Sequence, residues 1–177
     1  LKLFLLLLTI FGFFITGFLD DYLSIRNKEN TGLKTKEKLF LQSVISIIFI
    51  LIAYEKNLIS PLIIVSDSWG ININIFILPV SFLVLVGMSN SVNLTDGLDG
   101  LATGCSGIVF YGLGTEILMK GQKELFVFSI LCFSMCGICL GFLKYNSYPA
   151  KIFMGDTGSL SIGAILGSIA LLTNSVF

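Results

Sequence analysis

Residues 3–19 of the chain are LFLLLLTIFGFFITGFL, seventeen consecutive positions without an Asp, Glu, Lys or Arg. A helix needs about 20 mostly apolar residues to cross the hydrocarbon core of a membrane. With a polar residue or two at its ends, this stretch is long enough to do so. It is followed by Asp20 and Asp21 and lacks a small-residue cleavage site, which favours a membrane span over a signal peptide.

Five further stretches are equally free of charge, and the six together cover about two thirds of the 177 residues. Only 12% of the chain is charged, against roughly 25% in an ordinary soluble domain, so a water-facing surface could not be covered. The chain is therefore predicted to be all-α, a polytopic transmembrane helix bundle forming one domain over residues 1–177. The predicted spans are about 3–19, 39–54, 75–92, 100–118, 125–143 and 159–177.

The bulk composition excludes several functions. Eleven basic and eleven acidic side chains balance, so no basic face is available for nucleic acid. The chain has no histidine, which removes most zinc and haem sites and any Ser-His-Asp chemistry. The four cysteines all lie in apolar stretches and are predicted to be packing residues. Because the chain starts at Leu1 and stops within an apolar run, it is expected to be a piece of a longer protein.

Six helices running up and down would place the connections alternately on two sides of the membrane. One side receives seven basic residues and the other four. Basic residues favour the cytoplasmic side, so the connections around residues 20–38, 89–99 and 144–159 are predicted to be cytoplasmic. On the opposite side, residues 60–74 alternate apolar and polar positions around a turn, and a small extracytoplasmic β-hairpin and an irregular loop are equally compatible with them.

Five acidic residues lie beside span ends on the predicted cytoplasmic side: Asp20, Asp21, Asp96, Asp99 and Asp156. Carboxylates so close to hydrocarbon are costly and usually face a wet cavity with a function. A single one could simply be solvated or cap a helix. Five that converge on one face favour a functional site.

The local sequences suggest which chemistry this is. In NLTDGLDG, residues 93–100, a helical turn would place Asp96 and Asp99 on one face. In FMGDTGS, residues 153–159, Asp156 lies between glycines where a span begins, and free amides at a helix start attract anions. Carboxylate oxygens suit a hard cation, so the combination predicts a site for magnesium and pyrophosphate.

Three motifs carry a resemblance to a known family. GFLDDY (17–22), NLTDGLDGLA (93–102) and PAKIFMGDTGSL (149–160) resemble the three cytoplasmic motifs of the polyprenyl-phosphate N-acetylhexosamine-1-phosphate transferases. The motif sequences are most similar to those of the branch that transfers phospho-N-acetylmuramoyl-pentapeptide. That family's fold has ten transmembrane helices, and this chain resembles the third to the eighth. The family also carries a histidine-bearing motif near its C-terminus, which this chain lacks.

The resemblance implies a reaction. UDP-N-acetylmuramoyl-pentapeptide would give its phospho-sugar to undecaprenyl phosphate, releasing UMP and forming lipid I for peptidoglycan synthesis. It also implies Mg²⁺ as cofactor, the bacterial cytoplasmic (inner) membrane as location, an active site on its cytoplasmic face, and a homodimer as a candidate assembly. Two alternatives stay open: a transferase of another UDP-N-acetylhexosamine-1-phosphate, and, in a different class, a cation transporter.

The resemblance also implies roles for individual residues. Asp156 matches the magnesium ligand, and Asp20 and Asp21 match the pair that positions or activates the lipid phosphate. Asn93 and Asp96 match the nucleotide and catalytic region. The remaining matches are to substrate-binding positions: Asp99 and Phe153 in the uracil pocket, Asn146 at the ribose, and Lys28 and Lys38 near the phosphates. We expect the lipid phosphate to attack directly, and a covalent phospho-aspartate is the competing mechanism.

Overall fold

The structure, a computed structural model, describes residues 1–27, 32–66 and 69–175. Within these ranges, six helices are long and apolar enough to cross a membrane, which confirms the predicted six-helix bundle. They are α1 (Lys2–Asn27), α2 (Thr35–Glu55), α3 (Ile77–Thr95), α4 (Leu101–Met119), α5 (Phe126–Asn146) and α6 (Gly155–Thr173). Short 3-10 turns, Asn74–Phe76 and Lys123–Leu125, lead into α3 and α5.

The first two helices differ from the predicted spans at the end where they meet. α1 continues about two turns past residue 19, so Asp20 and Asp21 lie inside the helix rather than at its end. α2 begins at Thr35, so Lys38 lies in its first turns rather than in the preceding loop. No proline or glycine interrupts the sequence between residues 18 and 27, and a helix can leave hydrocarbon wherever its side chains become polar.

Long-range hydrogen bonds establish which ends of the helices lie together. Lys2 at the start of α1 donates to the carbonyl of Leu172 in α6, at 2.9 Å. Lys120, just after α4, donates to the carbonyl of Thr173. The ends of α1, α3 and α5 therefore lie with the starts of α2, α4 and α6, as an up-and-down topology predicts. We call this the carboxylate end, and the opposite one the hairpin end.

The hairpin end carries two antiparallel strands, β1 (Leu62–Ser66) and β2 (Trp69–Asn72). Leu62 pairs with Asn72 and Ile64 with Gly70, and the register shifts between Ile64 and Ser66. Of the two forms that the sequence allowed here, the hairpin is therefore the correct one.

α6 is the central helix, packed between α1 and α3, and most of its residues are buried. Small residues bring these helices close. A Cβ on Gly17 of α1 would lie 2.3 Å from the carbonyl oxygen of Asp156, and one on Gly163 of α6 would lie 2.4 Å from that of Met88 in α3. Close backbone approach through small residues is typical of membrane helices. It also fixes the level of Asp156 against α1.

α4 and α5 form a second closely packed pair. Gly107 and Gly114, seven residues apart on α4, face Cys139 and Cys132 on α5. Both of these cysteines are buried, and all four in the chain are free thiols. Cys132 and Cys139 thus have the packing role predicted for them, because a small side chain fits against a glycine where a larger one would not.

Candidate active site

The carboxylate end gathers acidic side chains from two helices. Asp20 and Asp21 come from α1, and Asp156 is the second residue of α6. One carboxylate oxygen from each lies within 4.8 Å of the others, and all three residues are half-buried. Residues more than a hundred positions apart in the sequence therefore share one site.

Asp21 binds the start of α6. Its Oδ1 accepts the backbone N–H of Asp156 at 3.1 Å, and its Oδ2 accepts the N–H and the hydroxyl of Thr157 at 2.9 and 2.5 Å. Gly155 has φ +68°, and a Cβ there would lie 2.8 Å from Asp21 Oδ2. The amides at this helix start do bind an anionic group, as predicted, but for Asp156 and Thr157 it is the carboxylate of Asp21. The positive end of the helix dipole already has an internal carboxylate partner.

Lys38 links α2 to the other two carboxylates. Its ammonium lies 3.1 Å from Asp20 Oδ1 and forms a close ion pair with Asp156 Oδ2. Asp20 Oδ1 also accepts the backbone N–H of Leu33, at 2.9 Å. Lys38 is only 19% exposed in its side chain, so water screens these charges less than at a surface. The structure thus brings Lys38 into the site.

Asn93 holds the second oxygen of Asp156. Its Nδ2 donates to Asp156 Oδ1 at 2.7 Å and to Ser159 Oγ at 2.9 Å. Ser159 in turn donates to the carbonyl of Gly155. Ser159 and Thr157 were not among the predicted site residues, although their spacing from Asp156 on a helix start could have indicated them. Both oxygens of Asp156 are therefore oriented, one by α2 and one by α3.

The carboxyl of Asp96, at the same end, has a raised pKa. Asp96 is the C-cap residue of α3. Burial raises the pKa of its carboxyl to about 6, and the negative charges of Asp156 and Asp21 add to that rise. The prediction that Asp96 and Asp99 share a helical face is wrong, because α3 ends at Thr95 and the chain turns at Gly100, which has φ +74°.

Asp99 and Asn146 support the loop between α5 and α6. Asp99 Oδ2 accepts the backbone N–H of Ala150 at 2.9 Å. Asn146 is buried, accepts the hydroxyl of Thr103 at 2.7 Å and donates to the carbonyl of Ile152 at 3.0 Å. The loop leads to Phe153, whose side chain is largely exposed. The loop between α5 and α6 thus connects Asp99, Asn146 and Phe153. Their contacts to uracil and ribose stay predictions.

Lys28, the remaining predicted residue, lies outside the described residues. The other predicted residues form two groups: the core of the site, with Asp20, Asp21, Lys38, Asn93, Asp96 and Asp156, and the loop support, with Asp99, Asn146 and Phe153.

The core of the site fits a hard divalent cation. Its carboxylate oxygens match the ligand preference of magnesium. Lys38 contacts two of these carboxylates, Asp20 and Asp156, and the negative charges of Asp156 and Asp21 add to the burial that raises the pKa of Asp96. Asp20 and Asp156 are the residues that would hold such an ion, since Asp21 is occupied by the α6 amides.

Known proteins of one family match this chain. Residues 3–174 match the model of glycosyl transferase family 4. A phospho-N-acetylmuramoyl-pentapeptide-transferase of Prochlorococcus marinus (strain MIT 9301) is 89% identical over 100% of this chain and 49% of that protein. Proteins of the same name from P. marinus (strain NATL2A) and Synechococcus sp. (strain CC9605) are 50% and 41% identical, over 93% and 94% of this chain and 44% and 47% of their own lengths.

The chain thus spans about half the length of the curated relatives it matches. The matches confirm the resemblance predicted from the three motifs, all of which fall inside the matched range. The chain belongs to glycosyl transferase family 4.

Proposed function

We propose that this chain, within a protein as long as its relatives, transfers phospho-N-acetylmuramoyl-pentapeptide from UDP to undecaprenyl phosphate. The products are UMP and lipid I, the lipid-linked precursor of peptidoglycan. The names of the relatives give the transferred group, phospho-N-acetylmuramoyl-pentapeptide, and the donor and acceptor are those that the resemblance of the three motifs implies. The observation that carries the proposal is the pairing of Asp156 with Lys38 and Asn93 beside Asp20, because phosphoryl transfer depends chiefly on positioned charge.

The proposed membrane placement rests on the distribution of basic residues. Seven of the eleven basic residues fall in the segments that the sequence predicts on the side of the carboxylates, so we propose that the carboxylate end lies at the cytoplasmic face of the bacterial inner membrane. A cytoplasmic nucleotide sugar would then meet the site from water, and the lipid phosphate would meet it from the bilayer. A transporter would need its charges near the bilayer midplane, whereas these carboxylates cluster at one end.

The chain's own residues would divide the work as follows. Asp20 and Asp156 would hold Mg²⁺, which when bound would supply positive charge to neutralise the pyrophosphate. Lys38 offers a second positive charge to the transferring phosphoryl group. Asn93 keeps Asp156 oriented, and Asp21 fixes the start of α6 so that Asp156 faces α1.

We propose direct attack by the lipid phosphate. A phosphate monoester has its second pKa near about 6, so it is largely a dianion at neutral pH and needs no general base. A bond forms between its oxygen and the phosphorus that bears the sugar, and the bond from that phosphorus to the UMP oxygen breaks. Trapping a phospho-enzyme on Asp20 or Asp96 would contradict this route.

The test is a transfer assay with the full-length protein in detergent, undecaprenyl phosphate and radiolabelled donors. We expect UDP-N-acetylmuramoyl-pentapeptide to yield UMP and a labelled lipid, and UDP-N-acetylglucosamine to yield neither. The reverse preference would overturn the sugar assignment while leaving the reaction class in place. No lipid product from either donor would overturn the proposed function.

A further inference from the structure

A pair of amide side chains joins α2 and α3 one helical turn away from the acidic core. Asn90 Nδ2 donates to Gln42 Oε1 at 2.7 Å and to the carbonyl of Val86 at 2.7 Å. Gln42 Nε2 lies 3.4 Å from Asn90 Oδ1. Gln42 is completely buried. The pair is therefore a reciprocal, partly buried link between two helices, and no role predicted from the sequence used it.

The positions of the two residues connect them to Asp156. Gln42 follows Lys38 by four residues on α2, and Asn90 precedes Asn93 by three on α3. Residues at these spacings lie on the same helix face. Lys38 binds one oxygen of Asp156 and Asn93 binds the other. Each member of the amide pair thus lies directly beneath a side chain that orients the same carboxylate.

Gln42 makes the buried polar contact between α2 and α3 at this end. α2 packs on α1 and α3, yet its Lys38 must reach across to α6. Ile45 packs against the buried cluster of Phe13, Leu160 and Ala164 on α1 and α6, so it does not hold α2 to α3. The fully buried residues in this half of α2 are Gln42 and Ser46, and the hydroxyl of Ser46 has no hydrogen-bond partner.

We propose that Gln42 and Asn90 are positioning residues that lock α2 to α3 and thereby aim Lys38 and Asn93 at Asp156. The inference rests on the proposed function, since it assigns the pair to the site that performs the transfer. Such partners behind a ligating carboxylate commonly affect metal affinity and turnover without touching either reactant.

The experiment uses full-length protein carrying Gln42→Leu, Asn90→Leu, both together, or the exchange Gln42→Asn with Asn90→Gln. Ser46→Ala is the matched control, because it removes a buried hydroxyl from the same helix face that makes no hydrogen bond. Four quantities are measured: kcat and KM for the nucleotide sugar, the Mn²⁺ dissociation constant of substrate-free protein by electron paramagnetic resonance, and the midpoint of thermal unfolding. If Gln42→Leu does not fold, the unbranched Gln42→Met replaces it.

We expect each single variant to lower kcat by about 10- to 100-fold, with little change in KM, and to shift the Mn²⁺ dissociation constant, because Lys38 and Asn93 would no longer hold the two oxygens of Asp156 in place. The double variant should be no worse than the singles, because both break one interaction, and the exchange should restore part of both changes. Ser46→Ala should match the parent.

A merely structural pair would give a different result. Lower thermal stability with unchanged kcat and unchanged Mn²⁺ affinity would overturn the inference, as would an exchange variant no better than the single variants. Failure of the parent protein to make lipid product would overturn the proposed function instead. In that case the Mn²⁺ measurements still decide whether the amide pair orients Asp156.

Discussion

At the scale of single residues, Lys38 lies where a cation would be held. Its ammonium bridges Asp20 and Asp156, the two carboxylates best placed for a divalent ion. An ammonium and a metal ion would then compete for the same oxygens. The positive charge of the ammonium explains how Asp20 and Asp156 can lie close together before an ion binds.

Lys38→Met should therefore tighten divalent cation binding while removing transfer activity. Losing one positive charge a few ångströms from the ion should lower the Mn²⁺ dissociation constant of the full-length protein roughly tenfold. Lys36→Met is the control, since Lys36 lies exposed on the same helix. Weaker Mn²⁺ binding in Lys38→Met would mean that the lysine supports the metal ligands rather than competing with the ion.

Asp96→Asn should raise thermal stability at pH 7.5. The pKa of Asp96 is raised to about 6, so the folded protein holds this proton more tightly than the unfolded chain, whose carboxyl titrates near about 4. The folded state is therefore penalised at pH values above about 6, and the penalty fades between 6 and 4. The gain from the amide should disappear at pH 4.5. A pH-independent difference between the two unfolding midpoints would contradict this.

At the scale of helices, contacts too close for a side chain hold α6 in place. Gly163→Ala should destabilise the full-length protein by about 1–3 kcal/mol, as overpacking typically does, because its Cβ would lie 2.4 Å from the Met88 carbonyl. Gly87→Ala on α3 is the matched control, as a Cβ there has no neighbour within 4 Å. Equal unfolding midpoints for the two variants would show that α3 and α6 can separate freely.

The sequence predicts the helices better than their ends. Charge-free stretches locate all six spans, because few charges can lie in hydrocarbon. The extension of α1 through Asp20 and Asp21 leaves no such signal, since polar residues in water allow helix and loop alike. The chain turn at Gly100 is missed for a similar reason. The three-residue spacing of Asp96 and Asp99 suggests a helical turn, but Gly100 has a positive φ and precedes the start of α4.

The site shows the same division between local and tertiary information. The motifs identify Asp20, Asp21 and Asp156 as a group because an up-and-down topology puts them at one end. Which of them caps α6 and which pairs with Lys38 depends on how α1 and α2 pack. The Gln42 and Asn90 pair carries no motif, and only the packing of α2 against α3 reveals it.

At the scale of the whole molecule, different contacts hold the two ends of α6. The hairpin end is held by lysines that bind the C-terminal carbonyls of α6, and the carboxylate end by ionic contacts to its N-terminus. α6 therefore connects the two ends, with Asp156 fixed at one of them. We therefore expect turnover to depend strongly on the carboxylate of Asp156.

The deciding measurement is magnesium-dependent formation of lipid product by full-length protein carrying Asp156→Asn. Glu55→Gln is the control, an acid-to-amide change at the exposed hairpin end. We predict that Asp156→Asn lowers turnover by at least about 100-fold at saturating magnesium, while Glu55→Gln retains the parental rate. Turnover of Asp156→Asn within a few-fold of the parent would show that the carboxylate end does not use Asp156 for the transfer.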